Sequence, residues 1–444
     1  MTYSEMKNSG IPYIGEIPSH WRITKTLHCL SMPITDGPHT TPELYDSGVP
    51  FISAEAVSCG NGKIDFSHMR GYISEDFYEE CCKKYVPQID DIYMIKSGAT
   101  TGRVAIVDTD RIFTIWSPLA AFRANRKRVL PKFLFYALQS DSYQKQVELG
   151  WTYGTQQNIG MRTLETLKIC LPPFNEQTTI AAYLDRQFSV IDSIIGEAKT
   201  SIEEYRRWKA SVVYQAVTKG LDPDVPMKDS GVSWIGEIPA TWDTCAIKRF
   251  STKIGSGKTP SGGAEVYSDT GVIFLRSQNV YNEGLRLSDV SHISPEIDDS
   301  MSNTRVRYND VLLNITGGSM GRCCLFDLTD TQANVNQHVC IIRTVAEMVR
   351  PEFLRYFWIS ESGPMAIGQY QTGGNRPGLN FEQIGNTKIP LCSPDEQDGI
   401  IRYLDRRCKA IDNLIEEKQS LIAELEAYKK SLIYEAVTGK RKVG

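Results

Sequence analysis

What this sequence lacks narrows its chemistry first. No apolar run approaches the ~18 residues that a membrane-crossing helix needs. The opening, MTYSEMKNSG, has no basic-then-apolar layout of the kind a secretory leader carries. The eleven cysteines contain no Cys-x-x-Cys spacing, and two pairs are adjacent, Cys81–Cys82 and Cys323–Cys324. That is poor material for a zinc site or a disulfide framework, and it predicts mostly buried, reduced thiols in a cytoplasm. The six histidines form no HExxH, and no serine sits in GxSxG. The string nearest to an Asn/Asp-Pro-Pro-aromatic methyltransferase motif is Leu171-Pro172-Pro173-Phe174, which lacks the polar first residue. A nuclease-like set can be assembled from Pro394-Asp395 and Glu416-Glu417-Lys418. Lys418 then falls on a helical heptad rather than a strand, and the first half of the chain has Phe174-Asn175 where the acid is needed. Gly257-Lys258-Thr259 suggests a nucleotide loop, but Thr252 stands where a P-loop needs glycine and Pro260 opens the following helix badly.

An excess of positive charge is also missing. The net charge is −4 and the pI is near 6.0, so any contact with phosphate must come from a local basic surface. Basic clusters occur at Arg123, Arg126, Lys127 and Arg128, at Arg206, Arg207 and Lys209, at Arg402, Arg406 and Arg407, and at Lys440, Arg441 and Lys442. Each reads first as a solvated face.

What is present is a sequence written twice. Ile14-Gly15-Glu16-Ile17-Pro18 with Trp21 recurs as Ile235-Gly236-Glu237-Ile238-Pro239 with Trp242. Glu176-Gln177 recurs as Glu396-Gln397, Tyr183-Leu184-Asp185-Arg186 as Tyr403-Leu404-Asp405-Arg406, and Ala216-Val217-Thr218 as Ala436-Val437-Thr438. The repeat ends agree well, whereas the middles, roughly 36–90 and 255–308, agree poorly. One scaffold therefore carries two different inserts. A duplicated catalyst should keep its chemical residues in both copies; a duplicated recognition surface is free to let them differ.

Each repeat ends in a long helical pattern. Residues 176–218 contain no proline and only Gly196; Asn175 is a suitable N-cap, and Gly220 with Pro223 supplies the stop. Apolar residues recur at alternating steps of four and three: Leu184, Phe188, Ile191, Ile195, Ala198, Ile202, Tyr205, then Val212 and Ala216 after Lys209. The second copy places Leu404, Cys408, Ile411, Ile415, Ile422, Leu425, Leu432 and Ala436 on the same stripe. A single amphipathic helix lying on a core is the plain alternative. Four heptads, occurring twice, favour a coiled-coil seam with the other copy as partner. Lys209, Lys418 and Lys429 break the seam, and either snorkel or mark where the helices part.

Ahead of each helix, about 170 residues read as mixed α and β. Glycine loops join strands at Ser97–Arg103 and Thr316–Arg322, and a hairpin is the first reading. These loops also offer Lys96, Thr100 and Arg103, with Ser319 and Arg322 in the matching places, to a phosphate or a base edge. Earlier loops carry His39 and Thr40, and Lys258 and Thr259; Arg276 and Gln278 follow the strand at Val272–Leu275. A third pair of loops holds Gln156, Gln157 and Asn158, and Asn375 and Arg376, side chains able to pair with base edges. Solvated surface is the competing reading for every one of them.

The IGEIPxxW opening, the variable α/β region, the Pro-Pro-x-x-Glu-Gln entry, the YLD-bearing helix and the AVTG-like end, all repeated, resemble the DNA-specificity subunits of Type I restriction–modification systems. The second entry, Cys392-Ser393-Pro394, lacks one proline of the pattern, and the first repeat ends Val217-Thr218-Lys219-Gly220 against Val437-Thr438-Gly439-Lys440. The resemblance implies an α+β tandem duplication: two mixed α/β target recognition domains separated by two long antiparallel coiled-coil helices. Its expected divisions are 1–174, a helix at 175–220, a linker at 221–227, 228–394, and a helix at 395–439. It implies a non-catalytic chain in which each recognition domain reads one half of a bipartite sequence in double-stranded DNA. The helices set the gap and dock two methyltransferase subunits, and restriction subunits join in turn. No cofactor is implied in this chain; S-adenosylmethionine, ATP and magnesium belong to the partners. From Leu184 to Ala216 a helix rises about 48 Å, roughly 14 base pairs of DNA, so the helices would work as a ruler. A methyltransferase scaffold or inhibitor that does not touch DNA, or a stand-alone nuclease, are the alternatives.

Overall fold

The computed structural model describes residues 3–153, 157–370 and 378–443. They form two compact units, one of residues 1–198 with 420–444 and the other of residues 199–419.

In the first unit a four-stranded antiparallel sheet has the spatial order Thr35–Asp36, Leu119–Phe122, Ile92–Ile95, Val104–Ile106. Its two inner strands and Val104–Ile106 are buried at every position, because both faces are covered. Alternate residues point to opposite sides of a strand. Ile92 and Met94 thus enter a core with the helix Pro131–Gln139, while Tyr93 and Ile95 enter a second core beneath Val49–Ile52. That strand is the centre of a three-stranded sheet, antiparallel to Gly71–Ile73 and parallel to Thr114–Ile115.

The second unit repeats this topology. Ser251–Ser256, Val339–Thr344, Val311–Asn314 and Cys323–Leu325 form the four-stranded sheet. Ser291–Ile293, Val272–Leu275 and Ala333–Val335 form the three-stranded one. The two adjacent cysteines lie on one strand and so face opposite cores, Cys323 one and Cys324 the other. Burial pushes the Cys324 and Cys340 thiols up to about 12, which keeps them protonated and unreactive.

The poorly matching middles therefore share one backbone, and glycine holds it. A Cβ on Gly37 would stand 1.8 Å from the Ile115 carbonyl oxygen, and one on Gly257 1.5 Å from that of Val335. Only glycine permits that approach, at the same corner of both units. The middles part most plainly where the helix Ala54–Cys59 of the first unit is replaced in the second by a hairpin, Val280–Tyr281 with Gly284–Leu285.

The long helices are Phe174–Lys219 and Pro394–Val437. The first opens one residue earlier than its expected cap. The Pro173 carbonyl accepts the N–H groups of Glu176 and Gln177, so Asn175 lies in the first turn. In the second, proline occupies the first helical position, where no N–H is needed, and Ser393 Oγ accepts from Glu396 N at 3.3 Å.

The helices pair antiparallel in each unit, so the expected fold class stands. In the first unit Leu184, Ile191 and Ile195 pack with Leu432, Ile433 and Ala436, with Phe188, Ile422 and Leu425 partly buried against them. In the second, Val212, Val213 and Ala216 share a core with Leu404 and Cys408. Ile202 and Ile411 are buried, while Tyr205 and Ile415 are half-buried. Two of the seam-breaking lysines have partners: Lys429 meets Asp192 at 2.7 Å in the first unit, and Lys209 meets Asp412 at 2.7 Å in the second. These four residues are repeat mates with the helices exchanged.

Each unit also joins one repeat's opening to the other repeat's helix end. Ile14, Ile17 and Trp21 are buried with Ala436 and Val437. Ile235, Ile238 and Trp242 are buried with Ala216 and Val217.

Candidate nucleic-acid interface

The Glu-Gln pair that marks the repeat is structural. Gln177 is buried; it accepts from Leu130 N at 2.7 Å and donates to the carbonyls of Arg128 (3.3 Å) and Pro172 (3.0 Å). Gln397 does the same with Arg350 N (2.8 Å), Met348 (2.9 Å) and Cys392 (3.0 Å). One amide thus ties the helix entry to the loop before the helix Pro131–Gln139 in the first unit and before the helix Pro351–Ile359 in the second. Glu176 accepts from Trp21 Nε1 at 3.0 Å, and Glu396 from Trp242 Nε1 at 2.9 Å. Burial raises the Glu176 carboxyl, and hydrogen bonds from Tyr3, His20 and Trp21 outweigh it and hold the group below its ordinary value. Asp185 and Asp405 accept from the hydroxyls of Tyr136 and Tyr356.

Several residues of the basic clusters are accounted for in the same way. Arg123 forms a two-pronged pair with buried Asp91 at 2.8 and 2.7 Å, and Arg343 forms the matching pair with Asp310 at 2.7 Å. Arg126 pairs with Asp90, Arg206 with Glu203 and Arg441 with Glu435. These arginines hold the fold or the surface.

The candidate loops come together at one end of each sheet. In the first unit Gly98 N donates to Gln157 O at 3.0 Å, Thr101 Oγ1 to Gly98 O at 2.7 Å, and Ile159 N to Lys96 O at 2.9 Å. The earliest loop joins through buried Asp36, which meets Lys96 at 3.2 Å, His39 at 3.1 Å, and Lys84. Burial alone would raise the Asp36 carboxyl; Lys84 and Lys96 outweigh it and hold the group below its usual range. The Lys96 ammonium thus faces inward, while His39, Thr40 and Asn158 are exposed and Thr100 and Gln157 half-exposed. Arg103 is exposed and donates to Ser58 O at 2.8 Å.

The second unit joins its loops by a chain of side-chain hydrogen bonds. Thr259 Oγ1 donates to Gln337 Oε1 at 2.6 Å, Gln337 Nε2 meets His338 Nε2 at 2.9 Å, and His338 Nδ1 meets Thr316 Oγ1 at 2.6 Å. The third loop enters through Leu379 N to Ile315 O at 2.9 Å and a bridge between Thr316 and Gly378. Lys258 is exposed and Ser319 half-exposed. Gln278 donates to Asp289 at 3.2 Å, Arg276 lies over the Tyr267 ring at 5.4 Å, and Arg322 over Tyr281 at 4.5 Å. Gln156, Asn375 and Arg376 lie outside the described residues.

Gln337 and His338 escaped the sequence reading. They sit in a short turn between strands, with no glycine run to draw attention. The one available signal was Asn336-Gln337-His338, a polar string between two largely apolar stretches.

Among the described residues no group of three His, Cys, Asp or Glu side chains could hold a metal ion, and no helix is long and apolar enough to cross a membrane. Asp395, Glu416 and Glu417 all lie on the second long helix, so the nuclease-like pattern has no strand to carry it.

The model of the Type I restriction modification DNA specificity domain matches residues 38–204 and again 239–427. The chain is similar to a putative Type I restriction enzyme specificity subunit, MjaX, of Methanocaldococcus jannaschii, 28% identical over 443 residues (97% of this chain, 96% of the relative). It is similar also to the MjaVIII specificity subunit of the same organism, 27% identical over 382 residues (85% of each). A chain from a solved structure concerned with complex assembly and conformational transition of the Type I R-M system shares the fold, with a TM-score of 0.70, 15% identity, and coverage of 95% of this chain and 98% of that one. With the domain matched in both halves of the duplication, this chain belongs to the Type I restriction–modification DNA specificity family.

Proposed function

We propose that this chain is the DNA-reading, non-catalytic subunit of a cytoplasmic Type I complex, and that each unit reads one half of a split target. The observation that carries this reading is one scaffold presenting two unlike loop clusters: Asp36, Lys96 and His39 in the first unit, and Thr259, Gln337, His338 and Thr316 in the second. Matching backbones with different hydrogen-bonding edges suit two half-sites of different sequence. The long helices set the gap between the halves and dock two methyltransferase subunits, with restriction subunits joining the assembly. Trp208 and Tyr428, repeat mates on the two helices, are exposed at 42% and 44%. Large aromatics left in water at equivalent positions suit two quasi-equivalent partners. S-adenosylmethionine, ATP and magnesium act in those partners.

The test is methylation mapping of DNA from cells that co-express this chain with its cognate modification subunit. A split motif methylated in both halves is expected. A stable complex that leaves the DNA unmethylated would overturn the reading.

A further inference from the structure

Three arginines of the second unit converge on one short hairpin. The Arg286 guanidinium carbon lies 3.6 Å from the centroid of the Tyr281 ring, and that of Arg322 lies 4.5 Å from it. Arg355, on the helix Pro351–Ile359, donates to the carbonyl of the next residue, Asn282, at 2.6 Å. The Asn282 side chain in turn accepts from Cys323 N at 3.0 Å, beside Arg322. The hairpin, the end of the glycine loop and the helix are thus locked together.

What marks the cluster is that its cations converge on one hairpin while none of them is ion-paired among the described residues. Arg305, Arg343 and Arg350 of the same unit each hold a carboxylate. Among the described residues no carboxylate forms an ion pair with Arg286, Arg322 or Arg355. Three cations held close with no ion-pair partner repel one another, and stacking on a tyrosine offsets only part of that. An anion is the missing member. Guanidinium forks fit a phosphate by paired hydrogen bonds, and stacking fixes their orientation before the ligand arrives.

The position favours DNA over an acidic protein segment. Arg322 ends the same glycine loop whose first residue, Thr316, belongs to the Thr-Gln-His chain. A phosphate contact one loop away from base-reading side chains is the usual division of labour at a DNA interface. Among the described residues the first unit has no equivalent. There the hairpin is replaced by a helix, Arg103 donates to Ser58 O, and Phe135 stands at the position of Arg355 in the repeat.

We propose that Arg286, Arg322 and Arg355 bind a backbone phosphate of the target DNA beside the second half-site, a contact the first unit does not make. The proposal rests on the DNA-reading function above.

The test uses the complex of this chain with its modification subunit and a duplex carrying the mapped target, with affinity measured between 50 and 200 mM salt. R286Q/R322Q should reduce the slope of log affinity against log salt by about 0.9 for each phosphate no longer neutralised, which over this range is about a threefold smaller fall in affinity. Y281L should show part of that reduction and Y281F little of it. R126Q, at an exposed pair in the first unit, should match wild type. The methylated motif should stay the same in every variant. An unchanged slope in R286Q/R322Q, with wild type binding normally, overturns the inference alone. Weakened assembly with the modification subunit at an unchanged slope assigns the cluster to an acidic protein partner and also overturns it. If the wild-type complex shows no salt-dependent binding to its target, the reading function itself fails.

Discussion

Replacing Gln177 or Gln397 by leucine should cost stability without touching specificity. Each amide satisfies one backbone N–H and two carbonyls at a buried junction. Leucine fills the volume but leaves all three unpaired. A buried N–H without an acceptor costs about 1–3 kcal/mol, and carbonyls, with a second lone pair and some access to water, cost less. A destabilisation of about 3 kcal/mol per site is expected, a large share of the roughly 5–15 kcal/mol that holds a domain together. For units of this size that corresponds to a melting point lower by about 6–12 °C. The two glutamines lie in different units and share no partner, so the effects should add in the double variant. Thermal unfolding of Q177L, Q397L and the double variant measures this, and methylation mapping of the surviving protein should return the wild-type motif. A destabilisation below about 1 kcal/mol, or an altered motif in a protein of unchanged stability, would refute the structural assignment.

Other expectations follow from the same geometry. Q337A breaks the link between Thr259 and His338, and should relax or change only the half-site read by the second unit, visible as one altered half of the methylated motif. In the helix seam, K429D sets two carboxylates against each other where Lys429 meets Asp192. It should destabilise by about 1 kcal/mol at this partly exposed site, and the exchange K429D/D192K should recover most of that in denaturant unfolding. Alkylation of native protein at pH 8 should label exposed Cys59 and spare Cys324 and Cys340, whose thiols burial pushes up to about 12; mass spectrometry should find those two labelled only after unfolding.

The scaffold was legible where repetition exposed it. Paired glutamines, tryptophans and heptads at matching positions predict two copies and two long helices without any fold knowledge. The middles were opaque because a buried strand accepts any apolar residue of suitable size. What survives divergence there is steric: Gly37 and Gly257 persist because a carbonyl stands where their Cβ would be. Charge was misleading in the sequence. Arg123 looks like part of a basic face until Asp91 appears beside it, and Lys96 looks like a DNA-facing cation until Asp36 does. Both aspartates are buried and remote in sequence from their partners, so no local pattern reveals them. Arg286 and Arg355 lie singly among unremarkable neighbours and join Arg322 in a cluster only when the chain folds.

The most direct test of two independent readers on one scaffold exchanges the reading loops of a single unit. Residues 36–158 would be replaced by the matching segment of a relative with a different target, and the methylated motif mapped again. The account predicts one new half, with the other half and the gap as in wild type. A change in both halves, or a motif that is no longer split, would contradict it.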